Sequence, residues 1–224
     1  MSENEYVCKI KEIMQITHDV KRFRLEKPKG FTFVPGNANL VSINKENFKD
    51  KQREFTFTSL PEDNYIEFTI KIYSDHPGVT FELNKLDVGD ELIIRDPWGS
   101  LQYQGPGVFI AGGAGITPFI SILRMLKKEN KIENNILIFA NKTEADIILK
   151  DELLSILGNN CFFILSREKN EKYDFGIVNE EYLKSKISNF NQNFYICGPP
   201  QMQLSLQKIL PKLGAKINSI VFEK

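Results

Sequence analysis

The chain has 224 residues, 42% of them apolar and 26% charged, with 29 Lys and Arg balancing 29 Asp and Glu to a formal net charge of zero. That length suits one large domain or two small ones, and that balance argues against nucleic acid or an anionic membrane surface as partner. Apolar runs stay short of the roughly 18 residues that span a bilayer, and the start, MSENEYVCKI, has no basic and apolar leader, so a cytoplasmic protein is expected.

In chain order, the first hundred residues read as short strands: YVCKIKEIMQI, VKRFRLEKP, NLVSINK, EFTFTSL, YIEFTIKIY and DELIIRDPWG, separated by PGNAN, PEDN and HPG. Six such strands with little helix predict an antiparallel six-stranded Greek-key β-barrel over residues 1–104, since closure removes exposed edges. One short helix is expected in VTFELNKL. From residue 105 the rhythm changes. The apolar runs VFIA, NILIFA, CFFILS, NFYICG and NSIVFE alternate with helical patterns at PFISILRMLKKEN, DIILKDELLSIL, NEEYLKSKI and PQMQLSLQKIL. This predicts an α/β domain over 105–224, a doubly wound five-stranded parallel sheet with helices on both faces.

The three cysteines, Cys8, Cys161 and Cys197, are far apart and odd in number, so they read as reduced thiols. With only His18 and His76 as imidazoles and no paired cysteines, no metal site is expected.

The segment FIAGGAGITPF places Gly113 and Gly115 between a strand and a helix whose first turn holds Pro118, with Thr117 as the expected cap. Two readings fit it. It is a tight turn and nothing more, or a turn where glycines and the positive helix end admit a phosphate. A second such turn, Cys197-Gly198-Pro199, sits before another helix on the same sheet edge, where a thiol beside a nucleotide crevice would meet a reactive ring. Cys197 by itself reads as a small buried apolar residue. In the barrel half, Arg53 suits a phosphate contact, Phe55 a stacked ring and Thr56 a ring nitrogen, or else Arg53 is an ordinary surface residue. The stretch from Ile70 and Lys71 to Gly78, Val79 and Thr80 leads into the short helix, a second place for a phosphate.

Together these segments resemble the ferredoxin–NADP reductase superfamily. Arg53-x-Phe55-Thr56-x-x-Ser59 is similar to its flavin motif, Pro35-Gly36-Asn37 to the Pro-Gly-Gln that precedes it, and HPGVT to its pyrophosphate-side motif. GGAGITP resembles its pyridine-nucleotide turn and Cys197-Gly198-Pro199 its nicotinamide-side motif. The resemblance covers essentially the whole chain, in order, and is nearest to stand-alone bacterial flavodoxin or ferredoxin reductases.

The resemblance implies FAD in the barrel and NADPH, or NADH, in the α/β domain. Arg53 and Thr80 would bind the flavin pyrophosphate, Phe55 would stack on the ring and Thr56 would reach its N5. Gly113, Gly115 and Thr117 would hold the dinucleotide, with Cys197 and Glu223 beside the nicotinamide. Phe55 departs from the usual tyrosine and Asn37 from the common glutamine. No aromatic follows Glu223 and Lys224, so a flavin more open on that side is expected. Ser166, Arg167 and Lys172 favour NADPH, since arginine accommodates a 2′-phosphate; a solvated loop is the alternative, because Glu168 and Glu171 lie among them. The expected partner is an acidic flavodoxin or ferredoxin-like carrier, and the expected state a monomer. A free-flavin reductase and a non-catalytic nucleotide-binding subunit are the competing readings.

Overall fold

The computed structural model describes residues 4–75, 77–99 and 101–222. His76, Ser100, Glu223 and Lys224 lie outside them, so the expected role of Glu223 does too.

The first sheet contains β1 (Glu5–Thr17), β2 (Val20–Glu26), β3 (Asn37–Ile43), β4 (Arg53–Thr56), β5 (Tyr65–Lys71), then helix α1 (Val79–Leu83), β6 (Glu91–Arg95) and the two-residue β7 (Trp98–Gly99). Its order is β4-β3-β6-β1-β2-β5, every pairing antiparallel, with β7 beside β3. A bridge between Phe57 and Phe68 brings the two edges together and nearly closes the barrel. The expected sixth strand is interrupted at Asp96-Pro97, because proline has no N–H to give a ladder. β1 serves two neighbours: Glu5–Lys9 pair with β6, Ile10–Thr17 with β2, and register shifts at Ile10/Glu12 and Gln15/Thr17 bend it between them. Inside, alternating positions deliver Phe23, Leu25, Ile10, Ile66 and Phe68 to a core where Phe33 stacks on Phe57 at 4.2 Å.

The second sheet is parallel, ordered β11-β10-β9-β8-β12-β13. Its strands are β8 (Gly107–Gly112), β9 (Ile136–Asn141), β10 (Cys161–Leu165), β11 (Asp174–Phe175), β12 (Asn193–Cys197) and β13 (Ile220–Phe222). The helices are α2 (Thr117–Lys128), α3 (Lys150–Leu157), α4 (Glu180–Lys186) and α5 (Pro200–Lys212). The sheet thus has six strands where five are expected, since the two residues of β11 are too few to carry a period. α3 starts four residues later than its apolar pattern. Asp146 instead closes a capping box with Thr143, its Oδ2 accepting from Thr143 N at 2.8 Å and Oγ1 at 2.6 Å, and Leu149 turns left-handed at φ 51°.

Helix α2 ties the two lobes together. Its apolar face, Phe119, Ile122, Leu123 and Leu126, is buried under the parallel sheet. From its other side Ser121 Oγ accepts the Gly36 N–H at 3.1 Å. Arg124 reaches into the barrel: Nη1 donates to Glu67 Oε1 and to the Thr58 carbonyl, each at 2.6 Å, while Nε and Nη2 hold Glu152 at 2.5 and 2.9 Å. Glu67 is wholly buried and also accepts from Arg24 at 2.9 Å and from Thr58 Oγ1 at 3.0 Å. Burial alone would raise its pKa, but Arg124, Arg24 and the Thr58 hydroxyl together hold it below the ordinary glutamate value.

Candidate functional site between the two lobes

The sheet changes direction at β8. Chain order runs one way from β8 through β9 to β10, while β12 and β13 lie on its other side. Such a switch opens a crevice at the carboxyl ends of the two flanking strands. Here those ends carry the two glycine turns, with Ala111 opposite Cys197 in the ladder. A Cβ on Gly115 would lie 2.3 Å from the Cys197 carbonyl oxygen, and one on Gly198 would lie 2.5 Å from Met202 Cε and 2.9 Å from the Gly112 nitrogen. Both glycines therefore let the turns pack backbone to backbone. Gly113 is different: at φ 53°, with open space where a Cβ would go, it makes the left-handed turn that a bulkier residue strains. A 3-10 turn over Gly113–Ile116 then feeds α2. Thr117 is not the cap expected of it. It is the first residue of the helix, and its hydroxyl donates back to the Ala114 carbonyl at 3.0 Å.

These turns form one wall of a cavity of about 620 Å³, with Gly113, Gly115, Thr117, Cys197, Gly198 and Pro199 all on it. The barrel forms the other wall with Phe55, Thr56, Thr69, Ile70, Lys71, Tyr73 and Thr80. Sequence motifs more than a hundred residues apart thus line a single cavity. Thr56 and Cys197 are both buried at its surface, Cys197 only 3% exposed. Burial pushes the other two thiols, Cys8 and Cys161, up to about 12, which leaves them protonated and structural. Tyr73, 47% exposed, is a cavity residue that the strand pattern of YIEFTIKIY gave no reason to single out.

Other expected residues lie elsewhere. Arg53 is exposed at the start of β4, does not line the cavity, and donates from Nη1 to the neighbouring Gln52 carbonyl at 2.7 Å. Ser59 is fully buried, where its hydroxyl accepts the Glu67 N–H at 3.0 Å. That bond, with the Thr58 N–H donated to the Glu67 carbonyl at 2.8 Å, ties the chain just past β4 to β5. Val79 belongs to the barrel core, and Gly78, extended at φ −178°, precedes the five-residue α1.

A second cavity of about 620 Å³ continues along the parallel sheet, with Ser166 and Arg167 at the end of β10 on its wall. Lys71, Gly112, Gly113, Ala114, Lys142 and Pro199 line both cavities, so the two are contiguous. Lys172 is exposed and lines neither. Asn141, Lys142 and Asp146 are wall residues that sequence reasoning missed, because the end of a buried strand looks the same whether or not it faces a ligand. At the rim, His18 Nε2 lies 3.6 Å from Asp19 and 3.8 Å from Asp146, and Lys71 neutralises Asp19 at 2.6 Å. No helix among the described residues is long and apolar enough to cross a membrane.

The residues present fit a flavin against the barrel wall and a nicotinamide dinucleotide against the other. Phe55 offers a ring to stack on, Thr56 and Thr80 offer hydroxyls, and the glycine turn admits close backbone approach. Comparison with known proteins agrees. Residues 7–103 match the oxidoreductase FAD-binding domain family and residues 109–208 the oxidoreductase NAD-binding domain family. NADH-cytochrome b5 reductase 2 of Danio rerio is 30% identical over 96% of this chain and 83% of its own, and that of Mus musculus 28% over 89% and 87%. A ferredoxin NADP+ reductase from Neisseria gonorrhoeae, solved with FAD and NADP bound, superposes with a TM-score of 0.85 at 20% identity over 98% of each chain. The cytochrome b5 reductase domain of Ulva prolifera nitrate reductase superposes at 0.82 and 24% identity, over 98% of this chain and 97% of that one. With both domain types in order along one chain and a relative matched across nearly its full length, the protein belongs to the ferredoxin–NADP reductase superfamily of FAD- and NAD(P)-binding oxidoreductases.

Proposed function

We propose that the chain passes electrons from a nicotinamide dinucleotide through FAD to a one-electron protein carrier such as a ferredoxin or flavodoxin, with residues 1–104 and 105–224 as its two working units. The observation that carries this is the shared cavity, with Phe55 and Thr56 on one wall and Gly115 and Cys197 on the other. When bound, FAD supplies the exchange between a two-electron donor and a one-electron acceptor. Phe55 stacks on the flavin ring, Thr56 offers its hydroxyl to the ring nitrogen, and Thr80 and Lys71 face the flavin phosphates. Gly113, Gly115 and Thr117 hold the dinucleotide, while Cys197, Gly198 and Pro199 set the nicotinamide against the flavin and exclude water there. The relatives named for cytochrome b5 support a protein acceptor and widen its class to haem carriers.

A visible spectrum of the purified protein before and after anaerobic NADPH tests this. Flavin bands that bleach, followed by reduction of a ferredoxin, flavodoxin or cytochrome b5, are expected. A colourless protein that oxidises neither NADPH nor NADH with any acceptor would end the proposal. The position of Arg53 outside the cavity wall favours a second reading, a reductase that holds flavin loosely as substrate. Flavin lost on gel filtration, with catalysis restored by added flavin, would select it.

The unpaired Arg167 beside Ser166 supports NADPH as donor, since it makes no ion pair among the described residues and lines the second cavity. Arg167→Ala is expected to raise the KM for NADPH by about 10- to 100-fold, the worth of a charged hydrogen bond, and that for NADH less than about twofold. Equal effects in steady-state assays would remove the assignment.

A further inference from the structure

The chain crosses from the barrel to the α/β lobe between β7 and β8, and residues 101–106 of that crossing carry neither helix nor strand. A short irregular stretch between two lobes is where they hinge, because a few residues there can absorb the change in dihedrals. Here the stretch is held. The Leu101 N–H donates to the Gly36 carbonyl at 3.2 Å, and its side chain is buried under the parallel sheet. Asn135 Oδ1 accepts the Tyr103 hydroxyl at 3.4 Å and the Gly107 N–H at 3.2 Å. Between these ties, one side chain takes two neighbouring backbone groups at once. The Tyr195 hydroxyl accepts the Gln104 N–H at 2.8 Å and donates to the Gly105 carbonyl at 2.7 Å.

Tyr195 is wholly buried in the middle of β12, stacked on Phe109 of β8 at 4.6 Å. Burial pushes its phenol up to about 12, so the oxygen keeps the proton that it donates. Both of these bonds go to the crossing, although the residue sits in the sheet. Cys197 follows two positions later in the same strand, hence on the same face, and stands at the wall of the shared cavity. We propose that Tyr195 is a positioning residue: its hydroxyl locks the hinge to β12 and so sets how closely the Cys197–Pro199 turn approaches the wall of Phe55 and Thr56. This rests on the reading of that cavity as the place where dinucleotide and flavin meet. Gln104 and Gly105 are the residues that would turn if the lobes moved, and phenylalanine would fill the same space while leaving both free to do so.

Single-turnover reduction of the FAD-loaded protein by NADPH and by NADH tests the lock. Tyr195→Phe is expected to slow the limiting rate of hydride transfer about tenfold, short of the roughly 100-fold cost of a 1 Å misplacement. The Kd for the dinucleotide, taken from the same traces, should stay within about twofold. The long-wavelength charge-transfer absorbance of reduced flavin stacked on oxidised nicotinamide should weaken, a change that lost stability alone does not produce. Tyr103→Phe is the control: it removes a longer bond to the same crossing from a residue outside β12, and its limiting rate should stay within about twofold of wild type. An unchanged rate and absorbance in Tyr195→Phe, even with a lowered thermal midpoint, would make the hydroxyl a purely structural group and overturn the inference. Equal slowing in both variants, or a weaker Kd at an unchanged limiting rate, overturns it as well, while leaving the reading of the cavity intact. Wild-type protein whose flavin neither dinucleotide bleaches rejects that reading, and the inference with it.

Discussion

Replacing Arg124 with methionine is expected to lower the thermal midpoint by about 6–12 °C. Removing one partner of a buried ion pair costs about 3 kcal/mol or more, and a chain of this size loses about 2–4 °C per kcal/mol. The variant leaves wholly buried Glu67 with Arg24 but without its 2.6 Å partner, and strips the donor from the Thr58 carbonyl. The effect carries a pH signature. The folded state holds the Glu67 carboxyl below its ordinary value, so its contribution is complete above the unfolded pKa, about 4.3, and is lost as pH falls through the lower folded value. The stability gap between wild type and variant should be constant near neutrality and narrow below about pH 4. Thermal melts across pH decide this, and a gap that does not change with acid would show that Arg124 acts through packing alone. Because α2 begins at the glycine turn and Arg124 anchors it to the barrel, hydride transfer should slow as well, since small misplacements of reacting groups are costly.

Gly115→Ala is expected to slow hydride transfer by about 100-fold, the cost of a misplacement near 1 Å. The added Cβ would meet the Cys197 carbonyl oxygen at 2.3 Å, its carbon at 2.5 Å and Gly198 Cα at 2.7 Å. All three are backbone atoms held in the β8–β12 ladder or just past it, so the turns must part. The stability loss should be about 1–3 kcal/mol, as for other overpacked sites. Gly113→Ala is the control. Nothing lies within 4 Å of its Cβ position, and its penalty is the left-handed backbone, about 1–2 kcal/mol. Urea melts should therefore show similar losses for the two variants, while single-turnover rates separate them. Equal rates would mean that the spacing of the two turns does not govern the cofactor geometry.

The barrel strands, the alternation of buried strands and helices after residue 105, and the two glycine turns were legible in the sequence itself. Each is a local pattern: alternation at period two, apolar runs, glycine and proline at strand ends. The resemblance to a known family added the order of the motifs and what they bind. Tertiary structure decided the rest, because it depends on which distant residues meet. Ser59 reads as a binding residue until Glu67, eight positions on, is seen to take its hydroxyl as an acceptor. Gly115 looks like a place for a phosphate and Gly198 like part of a nicotinamide-side turn, yet their missing side chains are first required by the close approach of the two turns. Lys172 and Arg53 share the charge of Lys142 and Arg167, but only the latter two line the two contiguous cavities. Charge and residue type are local properties, whereas facing is set by a sheet order that places β12 beside β8, some eighty residues apart along the chain.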